Sequence, residues 1–352
     1  MSRETVRRFL PTGIVAVLLI VGFYYPLPYY ISQPGEAVEL APIIQVENRH
    51  HEQGSLMLTT VRMGGANFFS FALANFNSYM DVIPKDFLLA HYKSEEHYSR
   101  RQLQVMESSQ ETAILVAYRL AGINIPVKNE GIIVTQTMEG MPAEQHLQIG
   151  DVIIRVDQKE VNTSEELITY ILGKKKGDSV EITYLRDEQE QTAMLAISEL
   201  PLSDEEKERG VEPRAGIGIS TLTKRSLGEI TPSVNIRTEK IGGPSAGLMF
   251  TLEIYNQLTE HDITKGYRIA GTGTINAEGN IGRIGGIHQK VVAADKAKVD
   301  IFFAPHEKWA TNSNYQVALA AAKDIGTSMK VVPVEHVKDA LAYLDSLPPK
   351  TE

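Results

Sequence analysis

No charged residue occurs between Phe9 and Gly35, and the centre of that stretch, Ile14 to Val21, is continuously apolar. The run from Phe9 to the residue before Pro26 would make about 26 Å of helix, the short end of what spans a bilayer. Arg3, Arg7 and Arg8 precede it, and Tyr24, Tyr25, Tyr29 and Tyr30 would lie at the far interface. This pattern predicts a cytoplasmic tail over 1–8 and a single-pass anchor in the cell membrane over 9–31. Everything beyond would then be extracellular. A cleaved signal peptide is the alternative, but Pro26, Pro28 and bulky tyrosines follow the apolar run instead of a small-residue cleavage site.

The chain has 352 residues, enough for two or three domains, and 43% hydrophobic against 22% charged residues predicts folded structure. With no cysteine, disulfides, cysteine-ligated metals and cysteine nucleophiles are excluded. A net charge of −9 argues against nucleic acid as a partner. No G-x-x-x-x-G-K-[ST] run exists to cradle ATP phosphates, and no H-E-x-x-H points to zinc. The sequence therefore implies no cofactor and no metal.

Residues 37–75 contain short strand-like runs, Ala37–Val46 and Leu56–Val61. Asp86 to Ala121 lacks Gly and Pro and predicts a helical connector over 84–119. A β-rich unit follows over 120–200, and then a polar, acidic linker over 201–213. From Ala215 on, strands near 216–222, 233–239, 268–274, 300–304 and 330–333 alternate with helices near 245–258, 287–298, 314–325 and 335–346. That alternation predicts an α/β or α+β domain over 205–350.

The densest chemical signal is Lys240-Ile241-Gly242-Gly243-Pro244-Ser245-Ala246-Gly247, running straight into an apolar helix. Gly243 and Pro244 allow a sharp turn, and Ser245 would sit where the positive end of a helix dipole favours a developing oxyanion. The plain alternative is a serine helix cap. A nucleophilic serine needs a base. His261, His288, His306 and His336 are candidates for a Ser-His esterase or peptidase on the G-x-S-x-G pattern of Gly243–Gly247. Lys290, in a helix after the glycine-rich Gly279–Gly286 turn, is the other. A lysine of ordinary pKa is neutral in only about one molecule in 2,500 at pH 7, so it serves as a base only if apolar burial depresses that pKa. Ile287, Val291 and Val292 are compatible with such burial.

The runs GGPSAG, IAGTGTI and GGIHQK-VVAADKAKVDIFFAP resemble the proteolytic domain of Lon peptidases. The resemblance implies that Ser245 is the nucleophile, Lys290 its base, and Thr272 the threonine lying beside the lysine. Lon commonly has an acidic residue three positions before the serine, and Gly242 stands there. The unit over 120–200, with Leu147-Gln148-Ile149-Gly150-Asp151-Val152-Ile153 its most specific piece, resembles the PDZ domains attached to HtrA-type proteases. That resemblance implies a peptide-carboxylate loop at Leu120, Ala121, Gly122 and Ile123, with the neighbouring strand pairing to the peptide. A PDZ that only positions the protease is the alternative.

Residues 205–350 are short for a Lon-type domain, so 37–75 are expected to complete it. The whole is then an α+β protein with an N-terminal transmembrane helix and a PDZ domain inserted in, or preceding, a Lon-type proteolytic domain. Anchor, PDZ and Lon-like domain together resemble membrane-anchored Gram-positive proteases, among them one that trims an exported competence pheromone. The resemblance implies an ATP-independent serine endopeptidase, most like endopeptidase La, with a Ser-Lys dyad. It would cleave exported peptides or membrane-protein ectodomains, and the rings usual for full-length Lon imply a homo-oligomer. A non-catalytic membrane-tethered PDZ scaffold is the other class, and it requires Ser245 and Lys290 to lie apart.

Overall fold

The computed structural model describes residues 3–50, 52–89, 94–202, 211–238 and 241–350, with side chains from residue 13 onward except 18. Lys240 and most of the expected linker lie outside the described residues. The chain runs through α1 (Arg3–Tyr24), β1 (Tyr29–Glu39), β2 (Ser55–Gly65), α2 (Phe68–Ala74), β3 (Asp81–Pro84), α3 (Lys85–Leu89) and α4 (Glu95–Leu120). A second group follows: β4 (Val127–Thr137), β5 (Val152–Val156), α5 (Ser164–Leu172), β6 (Ser179–Arg186), β7 (Gln189–Ala196) and β8 (Ile219–Leu227). The last is α6 (Gly247–Leu258), β9 (Arg268–Gly271), α7 (Ile287–Lys296), β10 (Ile301–Pro305), α8 (Asn314–Asp324), β11 (Lys330–Val334) and α9 (Val337–Asp345).

One mixed sheet has the order β11-β10-β9-β2-β1-β3. Its β9, β10 and β11 are parallel, as expected of strands joined through helices. β2 lies parallel to β9, with Leu56 opposite Ile269 and Leu58 opposite Gly271. Segments from both sides of residues 120–200 therefore share one sheet and one core. In that core Leu56 and Leu58 meet Leu248, Phe250 and Leu252 of α6. β10 is buried throughout, hence its continuous apolar sequence, whereas β11 buries Val331, Val332 and Val334 and exposes Lys330 and Pro333.

The second sheet, β8-β4-β5-β6-β7, is antiparallel and packs Ile132, Val134, Ile153, Val180 and Ile182 against Leu167 and Ile171 of α5. Its outer strand corrects an expectation. The strand anticipated near 216–222 in the C-terminal domain instead pairs with β4, placing Leu222 opposite Ile133 and Leu227 opposite Val127. β4 has β5 on one edge only, and β8 satisfies the backbone groups on the other.

Between the sheets runs α4. Ser94 caps it by accepting the His97 N–H, and Glu95 and Glu96 occupy its electropositive first turn. It buries Val105, Met106, Ala113, Val116, Ala117 and Tyr118, and the Tyr118 hydroxyl donates to the Pro232 carbonyl.

The expected membrane anchor falls on α1. Among the described residues, no helix is long and apolar enough to cross a membrane, so the fold lends that expectation no support.

Candidate active site

Three elements of the C-terminal group converge on one point. Ser245 lies in the turn just before α6, whose N-cap is Ala246, so the serine precedes the helix instead of sitting in its first turn. Gly243 has φ +89°, a left-handed conformation costly for any residue with a Cβ. Thr272 follows the end of β9 and is buried. Lys290 lies in the first turns of α7, which starts from Gly286 at φ +67°. A Cβ on Gly286 would come within 2.9 Å of Val61 Cγ2, so only glycine lets α7 approach β2 this closely.

The Lys290 Nζ lies 2.7 Å from Ser245 Oγ and 2.9 Å from Thr272 Oγ1. Thr272 Oγ1 in turn donates to the Ser245 carbonyl at 3.0 Å, and the same carbonyl takes the Gly273 N–H at 2.8 Å. These bonds fix the proton arrangement. With its own proton committed to a carbonyl, the Thr272 hydroxyl accepts an N–H from the lysine. The lone pair of a neutral amine is then free to accept the Ser245 proton.

Lys290 is only 4% exposed, and burial pushes its pKa down from the ordinary lysine value to about 7. No carboxylate among the described residues pairs with it, which is why burial is not offset. The amine is thus poised near neutrality to exchange a proton.

The four candidate histidines lie elsewhere. His288 stacks near Tyr79 and faces Asp81, His306 sits by Ser313, His336 caps α9, and His261 is exposed. None bonds to Ser245. The Ser-His reading therefore has no geometry behind it.

Oxyanion donors are at hand: the N–H groups of Ser245 and Ala246 find no acceptor among the described residues. The Gly243 N–H is not one of them, because it donates to the Gln102 carbonyl at 2.9 Å. Pro244 accepts from Ser109 Oγ at 3.1 Å. Both partners are on α4, which the sequence marked only as a connector.

The serine opens into a cleft of about 710 Å³ lined by Thr59–Met63 of β2, Asp81, Tyr98, Gln102 and Met106. β9 pairs with β2 only from Ser55 to Leu58. Beyond that point the β2 edge facing the cleft carries no neighbouring strand among the described residues, leaving it open to an extended peptide.

The proposed carboxylate loop at Leu120–Ile123 is corrected. Leu120 ends α4, and the next three N–H groups all donate to its last turns: Ala121 to Ala117, Gly122 to Arg119, Ile123 to Tyr118. A helix end has drawn in the amides that a ligand would need. Such a pair exists at Ile217 and Gly218, immediately before β8. Their carbonyls take the Ala143 and Met138 N–H groups, while their own N–H groups have no acceptor among the described residues. Gly218 has φ +84°, and a Cβ there would fall 2.1 Å from Met141 Cβ. Successive free amides at a left-handed turn form a nest for a carboxylate. The run Gly216-Ile217-Gly218-Ile219 was the available signal, but it lies beyond the unit in which a loop was sought.

Residues 237–345 match the model of the Lon protease (S16) C-terminal proteolytic domain, and residues 120–197 that of the PDZ domain. This chain carries a PDZ domain and a Lon-type proteolytic domain. The Lon protease of Aster yellows witches'-broom phytoplasma is 29% identical over 102 residues, 29% of this chain and 12% of that protein. A probable periplasmic serine endoprotease DegP-like of Pseudomonas putida is 31% identical over 130 residues, 34% of this chain and 27% of that one. The PDZ domain of the SdrC-like protein of Listeria monocytogenes is 28% identical, with a TM-score of 0.23, covering 27% of this chain and 92% of that domain. This chain thus spans between 12% and 27% of the length of those two curated relatives. The matches support a serine peptidase. β8 lies outside both matched segments.

Proposed function

We propose that this chain is a serine endopeptidase that cuts extended peptides with a Ser245–Lys290 dyad and without ATP. The observation that carries it is the 2.7 Å approach of a carboxylate-free, desolvated amine to a serine hydroxyl. Neutral Lys290 takes the Ser245 proton as Oγ bonds to the scissile carbonyl carbon, whose oxygen becomes an oxyanion facing the Ser245 and Ala246 amides. Collapse breaks the C–N bond, and the Lys290 ammonium returns its proton to the leaving amine. The resulting acyl-enzyme is then hydrolysed by water, with Lys290 again acting as base. Thr272 holds the amine on line between these transfers. The scaffold reading required the two side chains to lie apart, and they are in hydrogen-bond contact.

No phosphate-cradling motif is present to couple cutting to ATP, so the substrates are peptides or segments already unfolded. The PDZ domain engages substrate through its own peptide groove. The uncharged stretch from Phe9 to Gly35 behind Arg3, Arg7 and Arg8 is the sequence ground for reading it as a membrane-tethered enzyme facing exported substrates, peptides and membrane-protein ectodomains among them. A fluorophosphonate probe with intact-mass readout tests the dyad: one adduct on the wild-type chain and none on Ser245→Ala is expected. Absence of any adduct, with no cleavage of an unfolded peptide, would overturn the proposal.

A further inference from the structure

A second cavity, about 820 Å³, separates the PDZ sheet from the catalytic group. Thr221, Leu222, Thr223 and Arg225 bring the outer edge of β8 to it, α4 forms its floor, and Thr163–Glu165 close one side. Pro244 lines both this cavity and the catalytic cleft. Among the described residues β8 is the last strand of its sheet, and no strand pairs with its outer edge. At its start stand the free amides of Ile217 and Gly218.

Cations line this path. Arg101, Arg119 and Arg225 all border the cavity, and none forms an ion pair among the described residues. The Arg119 guanidinium donates to the Ala277 carbonyl, and that of Arg225 donates to Thr112 Oγ1 at 3.2 Å. Arg101 Nε is buried with no hydrogen-bond partner among the described residues. Glu165 and Glu278 also border the cavity, while Glu111 lies near Arg225 without pairing with it. Unpaired guanidinium groups spread along a groove suit carboxylates in a ligand.

We propose that this groove seats the acidic C-terminal tail of the substrate and so sets where the chain is cut. The terminal carboxylate docks on the Ile217 and Gly218 amides, and the tail adds as a strand antiparallel to β8. Its upstream part then follows α4 past Arg225 and Arg101 to Pro244, one residue from the nucleophile. From Gly218 to Arg225 is about 23 Å at strand spacing. From Thr112 to Arg101 along α4 adds about 16 Å. Together they correspond to a tail of about a dozen extended residues between the scissile bond and the C-terminus.

This inference rests on the peptidase reading above and is tested separately from it. Full-length enzyme is given one peptide in several forms: free C-terminus, C-terminal amide, and two or four Gly-Ser residues inserted in the tail. Products are located by mass spectrometry. The free acid should be cut at least tenfold faster in kcat/KM than the amide, and each insertion should move the cut site toward the C-terminus to restore the same tail length. A cut that stays with its local sequence after insertion, or equal rates for acid and amide, overturns the proposal while leaving the dyad intact. Failure to cut any form sinks the peptidase reading instead. A tail of Glu residues should also be preferred three- to tenfold in KM over the same tail with Gln. That preference should vanish in Arg101→Gln/Arg225→Gln, and its survival there would refute the arginines' part.

Discussion

The Gln102 carbonyl accepts the Gly243 N–H at 2.9 Å, so the helix that leads into the PDZ domain grips the segment carrying the nucleophile. Ser109 and Gln110 add bonds to Pro244 and Thr238 from the same helix. Gly242 fits beneath it because a Cβ there would approach Gln102 Cβ to 2.9 Å. The position that holds an acidic residue in Lon has no room for one here. Gly242→Asp is therefore expected to displace α4 from the loop and lower kcat by tenfold or more. Adduct formation with a fluorophosphonate, followed over time, should slow in parallel.

Removal of either dyad member should abolish turnover. Ser245→Ala and Lys290→Met are each expected to lower kcat/KM by about a thousandfold or more on an unfolded peptide, and the double variant no further, because the two act as a unit. Lys290→Arg should be equally inactive, since a guanidinium does not give up its proton near neutral pH. Residual activity above a tenth of wild type in Lys290→Met would assign the base elsewhere.

With the Lys290 pKa lowered to about 7 by burial, the active neutral amine gains ground as pH rises. A plot of kcat/KM from pH 5 to 9 should rise through a midpoint near 7 and level off above it. A midpoint above 9 would mean an amine of ordinary basicity and contradict the buried geometry.

The same burial carries a stability cost whose sign is fixed. The unfolded chain binds a proton at Lys290 up to a pH near 10.5, whereas the folded chain releases it near 7. Stability therefore rises with pH between those values, and folding is penalised below them. Lys290→Met should raise the thermal midpoint at pH 7, with a gain on the order of 4 kcal/mol as an upper bound. The gain should shrink toward pH 10. Equal midpoints at pH 7 would show the amine to be solvated.

Thr272 bonds to Lys290 and to the Ser245 backbone at once. Thr272→Val keeps the volume and removes both bonds, so kcat should fall about ten- to hundredfold with KM little changed. Thr272→Ser should restore most of it. If Thr272→Val retains full kcat, the hydroxyl plays no part in holding the amine.

Residues 237–345 were readable because their chemistry is local. Glycines beside Ser245 and Lys290 mark places where backbone must turn or approach closely, and such runs survive as short strings. Two other features were not readable. The nest at Ile217–Gly218 serves a sheet whose other strands end some twenty residues earlier, and only the pairing of β8 with β4 shows where it belongs. The grip of α4 on Gly243 uses a backbone carbonyl, which no side chain announces. The amides of Gly122 and Ile123 misled for the converse reason: a sequence does not reveal which donors a helix terminus has already engaged.

The parallel pairing of β2 with β9 also governs timing. A ribosome releases Ser55–Gly65 long before Arg268–Gly271, so the early strand waits some two hundred residues for its neighbour. Throughout that wait the base, Lys290, has not been synthesised, and Ser245 appears only shortly before Arg268. The nascent polypeptide is harmless to itself and to the machinery handling it, and the power to cut arrives only when its last third emerges and closes the sheet.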